Sequence, residues 1–330
     1  MMYVGRFAPS PSGPLHFGSL VAAVASYCDA KYNHGKWLIR MEDIDKPREM
    51  KDAAEDILRT LEAFGFEWNE PIVYQSQRTE IYEHYLTDLK RNSLVYACSC
   101  SRKEIADSSA NIGIEGAIYN KNCLFKTVKS GASTAWRLNT SLETDLTVLK
   151  AQKAHVTSFH DTIQGEVSQN IATDIGDFIL KRADGLFAYQ LAVVVDDAAQ
   201  GVTHIVRGAD LLNSTARQIY LQQILGFSAP HYAHVPIATN QAGEKLSKQS
   251  LAKPIDARFA SEQLFNALQF LGQNPPAEMA NATLSEVWRW AIENWQLENV
   301  PKQTKIAIWK RSSFQNLNSK TVKSAFFMRT

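Results

Sequence analysis

Cysteine is scarce: four residues in 330, too few for a disulfide scaffold and unnecessary in a chain long enough to bury a sizeable core. No apolar run reaches the ~18 residues that a membrane-spanning helix needs. The opening Met1-Met2-Tyr3-Val4-Gly5-Arg6 lacks the apolar centre of a secretory leader; an arginine and then a proline-rich stretch stand there instead, so a cytoplasmic location is the expectation. Internal repeats and low-complexity segments are absent. So is a large charge imbalance, since the formal net charge is +1. With 45% hydrophobic and 21% charged residues, what remains is the composition of a globular enzyme, and the length suggests about two domains.

The small net charge hides an uneven distribution. From Pro301 to Thr330 the chain carries Lys302, Lys305, Lys310, Arg311, Lys320, Lys323 and Arg329 and no acid, which leaves −6 on residues 1–300. A basic tail on a mildly acidic body is a place for a polyanion to dock.

Tyr3–Ala8 is β-prone, and Pro9, Pro11, Gly13 and Pro14 then break regular structure. From Gly18, Leu20, Val21, Val24, Ala25 and Cys28 recur at helical spacing. Lys36–Met41 reads as a second strand. Ala54, Ile57, Leu58, Leu61 and Phe64 mark a second helix with Gly65 at its C-terminal cap. Strand, helix, strand, helix predicts a parallel sheet with crossover helices. From about Tyr96 the texture becomes loop-rich, with β-like runs near Ala135–Leu138 and Glu166–Val167. Asp177-Phe178-Ile179-Leu180 and Leu191–Val195 then read as buried strands, and Ala216–Leu225 as a helix. Near the end, Thr283 and Glu286 form a capping box, followed by Leu284, Val287, Trp288, Ala291, Ile292 and Trp295 on one helical face. The expected division is 1–95 and 173–250 for the two halves of one α/β domain, 96–172 for an insertion, and 251–330 for a helical C-terminal domain.

Three patterns carry chemistry. Arg6-Phe7-Ala8-Pro9-Ser10-Pro11-Ser12-Gly13-Pro14-Leu15-His16-Phe17-Gly18-Ser19 joins the first strand to the first helix. In an open α/β sheet that turn is where phosphates bind, at the exposed N–H groups of a helix N-terminus. It is neither a dinucleotide-binding GxGxxG nor a Walker A loop. Gly243-Glu244-Lys245-Leu246-Ser247-Lys248-Gln249 sets two lysines around a serine, a pair able to clamp a triphosphate and neutralise departing pyrophosphate. Cys98, Cys100 and Cys123 bring three thiols close together in sequence, which suggests structural zinc; three free thiols are the alternative.

Taken together, the first two patterns resemble the HIGH and KMSKS signatures of class I aminoacyl-tRNA synthetases. Here they stand as His16-Phe17-Gly18-Ser19 and Lys245-Leu246-Ser247-Lys248-Gln249. Arg6–Gly13, Leu38–Asp45, Tyr189–Asp197 and Thr203–Leu212 are similar to glutamyl-tRNA synthetases, over about residues 3–255. Ser19 replaces the last histidine of HIGH, and only about 80 residues follow Gln249. Both features resemble the truncated glutamyl-Q tRNA(Asp) synthetase branch.

The resemblance implies a Rossmann-like α/β catalytic domain with a parallel sheet, a zinc-bearing insertion and a helical C-terminal domain. It also implies an ATP-dependent ligase that activates L-glutamate and esterifies it onto queuosine at the wobble position of tRNA(Asp), rather than onto a 3′ end. Free glutamate carries two carboxylates and one ammonium, so its site needs two cations and one anion. By motif match, Arg6 and Arg207 bind the carboxylates and Glu42 the ammonium, with Ala8, Ser10 and Tyr189 completing the walls. Which arginine takes which carboxylate stays open. Pro9, His16, Gly18, Ser19 and Lys248 are the expected ATP contacts, with Mg²⁺ accompanying ATP; His16 and Lys248, supported by Lys245, meet the transition state. The branch's Cys-x-Cys…Tyr-x₃-Cys pattern implies Tyr119 as the fourth zinc ligand. A monomer without membrane contact is expected. Two other readings fit the motifs: a minimal glutamyl-tRNA synthetase charging a 3′ end, and a silent paralogue that binds glutamate or RNA without transfer.

Overall fold

A computed structural model describes residues 2–109, 112–114, 116–124, 131–140, 156–245 and 253–308. Lys248 and the distal basic residues Lys310, Arg311, Lys320, Lys323 and Arg329 lie outside the described residues. In chain order the elements are β1 (Val4–Phe7), α1 (Phe17–Tyr32), β2 (Lys36–Met41), α2 (Ala53–Ala63), β3 (Val73–Tyr74), α3 (Thr79–Arg91), β4 (Val95–Cys98) and α4 (Arg102–Ser108). Then come β5 (Ile112–Gly113), β6 (Gly116–Ala117), β7 (Ala135–Leu138), β8 (Val156–Asp161), β9 (Gly165–Asn170), β10 (Ile179–Lys181), α5 (Tyr189–Ala199) and β11 (His204–Gly208). The last are α6 (Leu212–Leu225), β12 (His231–Val235), β13 (Ile237–Thr239), α7 (Ala260–Phe270), α8 (Leu284–Glu293) and β14 (Lys305–Ala307).

The expected parallel crossover is present. β1 pairs with β2 from Val4 opposite Lys36 to Phe7 opposite Ile39, and β2 continues in parallel to β3. A second sheet runs β11, β12, β8, β9. In it β11 and β12 pair in parallel, His204 opposite His231 and Arg207 opposite His234. β12 meets β8 in parallel at Tyr232 opposite Asp161. The two sheets abut where the Thr203 N–H donates to the Val4 carbonyl at 2.9 Å. Arg6, Glu42 and Arg207 thus lie at or just beyond the carboxyl ends of β1, β2 and β11, and the lysine loop follows β13. β8 and β9 fall within the 96–172 stretch yet extend the β11–β12 sheet, whereas β4, β7 and β10 form a separate antiparallel sheet.

α1 is the central helix. Leu20, Val21, Ala23, Val24, Ala25, Cys28 and Ala30 are all buried, as a helix enclosed on most sides requires. Tyr27 stands edge-on to Trp37, Phe66 and Trp288 at centroid distances of 4.9–5.2 Å. Indole N–H groups need acceptors when buried; Trp288 donates to the Phe64 carbonyl and Trp295 to Asp29. The capping box of α8 forms as expected, and α7 and α8 pack into the same core as α1 and β2. Among the described residues no helix is long and apolar enough to cross a membrane.

One element departs from expectation. Leu191–Val195, read as a strand, is helical within α5. An unbroken apolar run suits a buried strand and a fully enclosed helix equally. α5 is enclosed by α3, α6 and β10, and even its polar Asp196 and Asp197 are buried against partners. Asp196 accepts from Gln75, Arg78 and Tyr82 at 2.6–2.8 Å.

Candidate active site

The loop between β1 and α1 is pinned at several points. The Pro9 carbonyl accepts from the Glu42 N–H at 3.0 Å, the Pro11 carbonyl from the Met50 N–H at 2.9 Å, and the Ser10 carbonyl from the Ser12 N–H at 2.8 Å. Gly13, at φ 131°, takes a conformation closed to most side chains. His16 caps α1: its Nδ1 accepts from the Ser19 N–H at 3.3 Å, which leaves Nε2 to carry the ring proton, 3.4 Å from the Ser19 hydroxyl. Ser19 thus sits against His16. α1 has no acidic residue in its first turn, so the positive end of its dipole is uncompensated and suited to a phosphate.

At the ends of β1 and β2 four charges meet. Arg6 donates from Nε and Nη2 to the two Asp197 oxygens at 3.2 and 3.5 Å. Arg40 donates from Nη1 to Asp197 at 2.7 Å and to Gln200 at 2.9 Å, and its Nη2 lies 3.5 Å from Glu42. All four side chains are at most 10% exposed. Burial pushes the Asp197 carboxyl up, but Arg40 and Arg6 outweigh it and hold Asp197 ionised. At Glu42 the balance reverses: burial dominates and raises its pKa in spite of Arg40 and Arg6. Glu42 is therefore a buried carboxylate in want of a further cation. Arg40 and Asp197 were not among the expected site residues, although each is a charge set in an apolar run, which is a signal in itself.

Arg207, on β11, faces this cluster from the second sheet. Its Nη2 donates to Thr215 and Gln218, each at 2.8 Å, and its Nε to His234 at 3.0 Å. Nη1 is buried and has no hydrogen-bond partner among the described residues. A buried donor left open in this way is suited to a ligand oxygen. Tyr189, the first residue of α5, hydrogen-bonds Gln218; its phenol lies in the combined field of Arg207, Glu42 and Arg6, and burial raises its pKa. Arg6, Glu42, Tyr189 and Arg207 are thus brought together. Ala8 and Pro9 are half-buried beside them and Ser10 is exposed. Lys245 pairs with Asp210 at 2.5 Å, which ties the lysine loop to the end of β11.

The three cysteines also converge. The sulfurs of Cys98, Cys100 and Cys123 lie within 4.8 Å of one another. The Tyr119 hydroxyl is 3.4 Å from the Cys100 sulfur and accepts from the Cys123 N–H at 2.8 Å. Burial pushes the Cys100 thiol up to about 11. Burial also acts on Cys123, but hydrogen bonds from Tyr119 and Cys100 pull its thiol down to about 7. Three thiols and a buried phenol around one point make a donor set of the kind that suits zinc. The Arg137 guanidinium, 4.3 Å over the Tyr119 ring, would offset the negative charge of such a centre. Beside it, a cavity of about 460 Å³ is lined by Tyr119, Arg137, Asp174, Asp177 and Gln190 among others. Gln190 connects it to the Arg207 cluster, since the Gln218 amide donates to Gln190 at 3.0 Å.

Comparison with known proteins matches residues 3–306 to the catalytic domain of class I tRNA synthetases (E and Q). A glutamyl-Q tRNA(Asp) synthetase of Dechloromonas aromatica is 52% identical over 307 residues, covering 93% of this chain and 98% of that one. One of Chromobacterium violaceum is 53% identical over 300 residues, covering 91% and 96%. Among solved structures, the glutamate-tRNA synthetase of Elizabethkingia anophelis superposes with a TM-score of 0.73 at 23% identity. That match covers 94% of this chain and 68% of the other, and it supports the fold.

Proposed function

The chain belongs to the class I tRNA synthetases of the glutamate and glutamine branch, and from that premise we infer that it activates L-glutamate with ATP and transfers it to queuosine in tRNA(Asp). The observation that carries the reading is identity of 52% across 98% of a relative bearing that name.

The site chemistry accords with it. Arg207 offers Nη1, and Arg6 keeps Nη1 beyond the edge it spends on Asp197; these are the donors for the two carboxylates of glutamate. Glu42 gains its missing cation when the substrate ammonium arrives, and Tyr189 closes the pocket between them. A glutamate carboxylate oxygen attacks the α-phosphorus of ATP, the bond to the bridging oxygen breaks, and pyrophosphate leaves with the electron pair. His16 Nε2 and the amino end of α1 face the phosphates; Lys245 and Lys248 neutralise the departing charge, and Mg²⁺ carried by ATP screens the triphosphate. Positioning and electrostatics supply the rate, with no protein nucleophile. A queuosine hydroxyl then attacks the mixed-anhydride carbonyl, the C–O bond to AMP breaks, and the hydroxyl proton leaves with AMP or water. The cavity beside Gln190 has the volume of a small-molecule site and is the place we assign to the acceptor base. Exposed Lys302 and Lys305 would add salt-dependent phosphate contacts.

The test is transfer of labelled glutamate, with ATP and Mg²⁺, to tRNA(Asp) with and without queuosine, beside tRNA(Glu). Label confined to queuosine-containing tRNA(Asp) is expected. Label on tRNA(Glu) would make the protein a minimal synthetase; no label and no ATP–pyrophosphate exchange would make it a silent binder.

For the cysteine cluster we propose one structural zinc held by Cys98, Cys100, Cys123 and Tyr119. It would tie β4 to the segment around Tyr119 and take no part in the reaction. Elemental analysis should find about one zinc per chain. Cys123→Ser should lose most of it, while Tyr119→Phe should keep the metal but release it faster to a chelator. Zinc retained in full by Cys123→Ser would sink the assignment.

A further inference from the structure

We propose that Asp161 and His234 form a buried positioning relay that fixes the Arg207 guanidinium with Nη1 presented to a glutamate carboxylate. The proposal rests on the reading that Arg207 binds glutamate, and names two residues that act through it.

Strand register places the three groups in a row. Arg207 on β11 stands opposite His234 on β12, and β12 meets β8 beside Asp161. Asp161 and His234 are both fully buried. One carboxylate oxygen of Asp161 accepts three backbone N–H groups, from Ile163 at 3.1 Å, Gln164 at 2.8 Å and His234 at 3.1 Å. The other oxygen lies 2.5 Å from His234 Nδ1. A carboxylate so surrounded by donors stays ionised and can only accept; although burial acts the other way, these bonds lower the Asp161 pKa. Nδ1 must then carry the imidazole proton.

A neutral ring with Nδ1–H has a lone pair on Nε2, and that is what Arg207 needs. Its Nε–H points at Nε2 over 3.0 Å, and the Thr215 hydroxyl stands 3.1 Å from the same atom. Burial, reinforced by Arg207, drives the His234 pKa down to about 4 against the pull of Asp161 and Asp210, so the ring stays neutral at pH 7. With Nε held by His234 and Nη2 by Thr215 and Gln218, one orientation of the guanidinium satisfies every bond. In that orientation the unpartnered donor is Nη1.

The relay makes a specific prediction about Asp161→Asn. Three backbone N–H groups pin the amide oxygen, so the amide nitrogen must replace the oxygen that faced His234. That nitrogen donates to Nδ1, the ring proton moves to Nε2, and Nε2–H then opposes Arg207 Nε–H. In ¹⁵N-labelled protein at pH 7, His234 should be in the Nδ1–H form in the wild type and the Nε2–H form in Asp161→Asn. In glutamate-dependent ATP–pyrophosphate exchange, Asp161→Asn and His234→Leu should raise the glutamate KM by about tenfold or more while the ATP KM stays within about twofold. His234→Gln places an oxygen where Nε2 was, and should recover most of the glutamate affinity. A wild-type ring in the Nε2–H form would overturn the relay, even if every variant failed to fold. So would a His234→Leu enzyme with the wild-type glutamate KM, or an equal rise in the ATP KM. A wild-type protein without glutamate-dependent exchange, its ring still in the Nδ1–H form, would instead overturn the glutamate reading.

Discussion

Replacing Arg207 with lysine is expected to lower kcat/KM for glutamate by about a hundredfold to a few thousandfold, the equivalent of about 3–5 kcal/mol. The positive charge survives this change, so charge is not what is lost. A lysine has three donors on one nitrogen and no planar fork. It could satisfy one of the acceptors that Arg207 serves at His234, Thr215 and Gln218, or reach the substrate, but not both. Each acceptor left unpaired in a buried site carries the cost of its desolvation. The substrate carboxylate, brought out of water, would meet a point charge drawn back toward Thr215 and Gln218. Glutamate-dependent exchange measured against glutamate concentration checks this, with the ATP KM as the internal control. A lysine variant exchanging within tenfold of the wild type would show that the fork does not hold the carboxylate.

How far the site was legible from sequence depended on the type of interaction. Lys36–Met41 was readable to the residue as β2, because a short β-prone run between turn signals has few alternatives. The α8 capping box was equally plain, since cap and partner lie three residues apart. α5 was misread because its apolar residues, buried among α3, α6 and β10, do not show the one-sided period of a surface helix. In the site, Arg6, Glu42, Tyr189 and Arg207 came from motifs. Their partners did not: Arg40 and Asp197 are 157 positions apart in sequence, and Asp161 and His234 are 73 apart. No local pattern announces such a pair: the packing of α5 brings Asp197 to Arg40 on β2, and the register of β12 against β8 brings His234 to Asp161. The three cysteines lay close enough together to be seen, whereas the Tyr119 phenol reached them only through family likeness.

Asp197→Ala is the second large effect expected, on stability as well as activity. Asp197 lies between Arg6 and Arg40, which are 4% and 0% exposed. Without it two guanidinium groups remain buried, with Glu42 the nearest acid described beside Arg40. Removing one member of a buried charge network costs about 3–5 kcal/mol, because the remaining charges lose their compensation but not their desolvation. Urea unfolding should show a loss of that order. The functional consequence follows from the same redistribution: both arginines turn to Glu42, which then has its cations within the protein and no use for a substrate ammonium. The glutamate KM should therefore rise even in the fraction that stays folded. Arg40→Met added to Asp197→Ala separates the two effects. Removing one orphaned charge should recover part of the stability, while Glu42, now paired with Arg6, should still fail to attract glutamate. A single variant destabilised by less than about 1 kcal/mol, or a double variant no more stable than the single, would mean that Asp197 does not hold the two arginines in place. Recovery of stability without recovery of glutamate affinity would mean that it keeps Glu42 available by occupying the arginines itself.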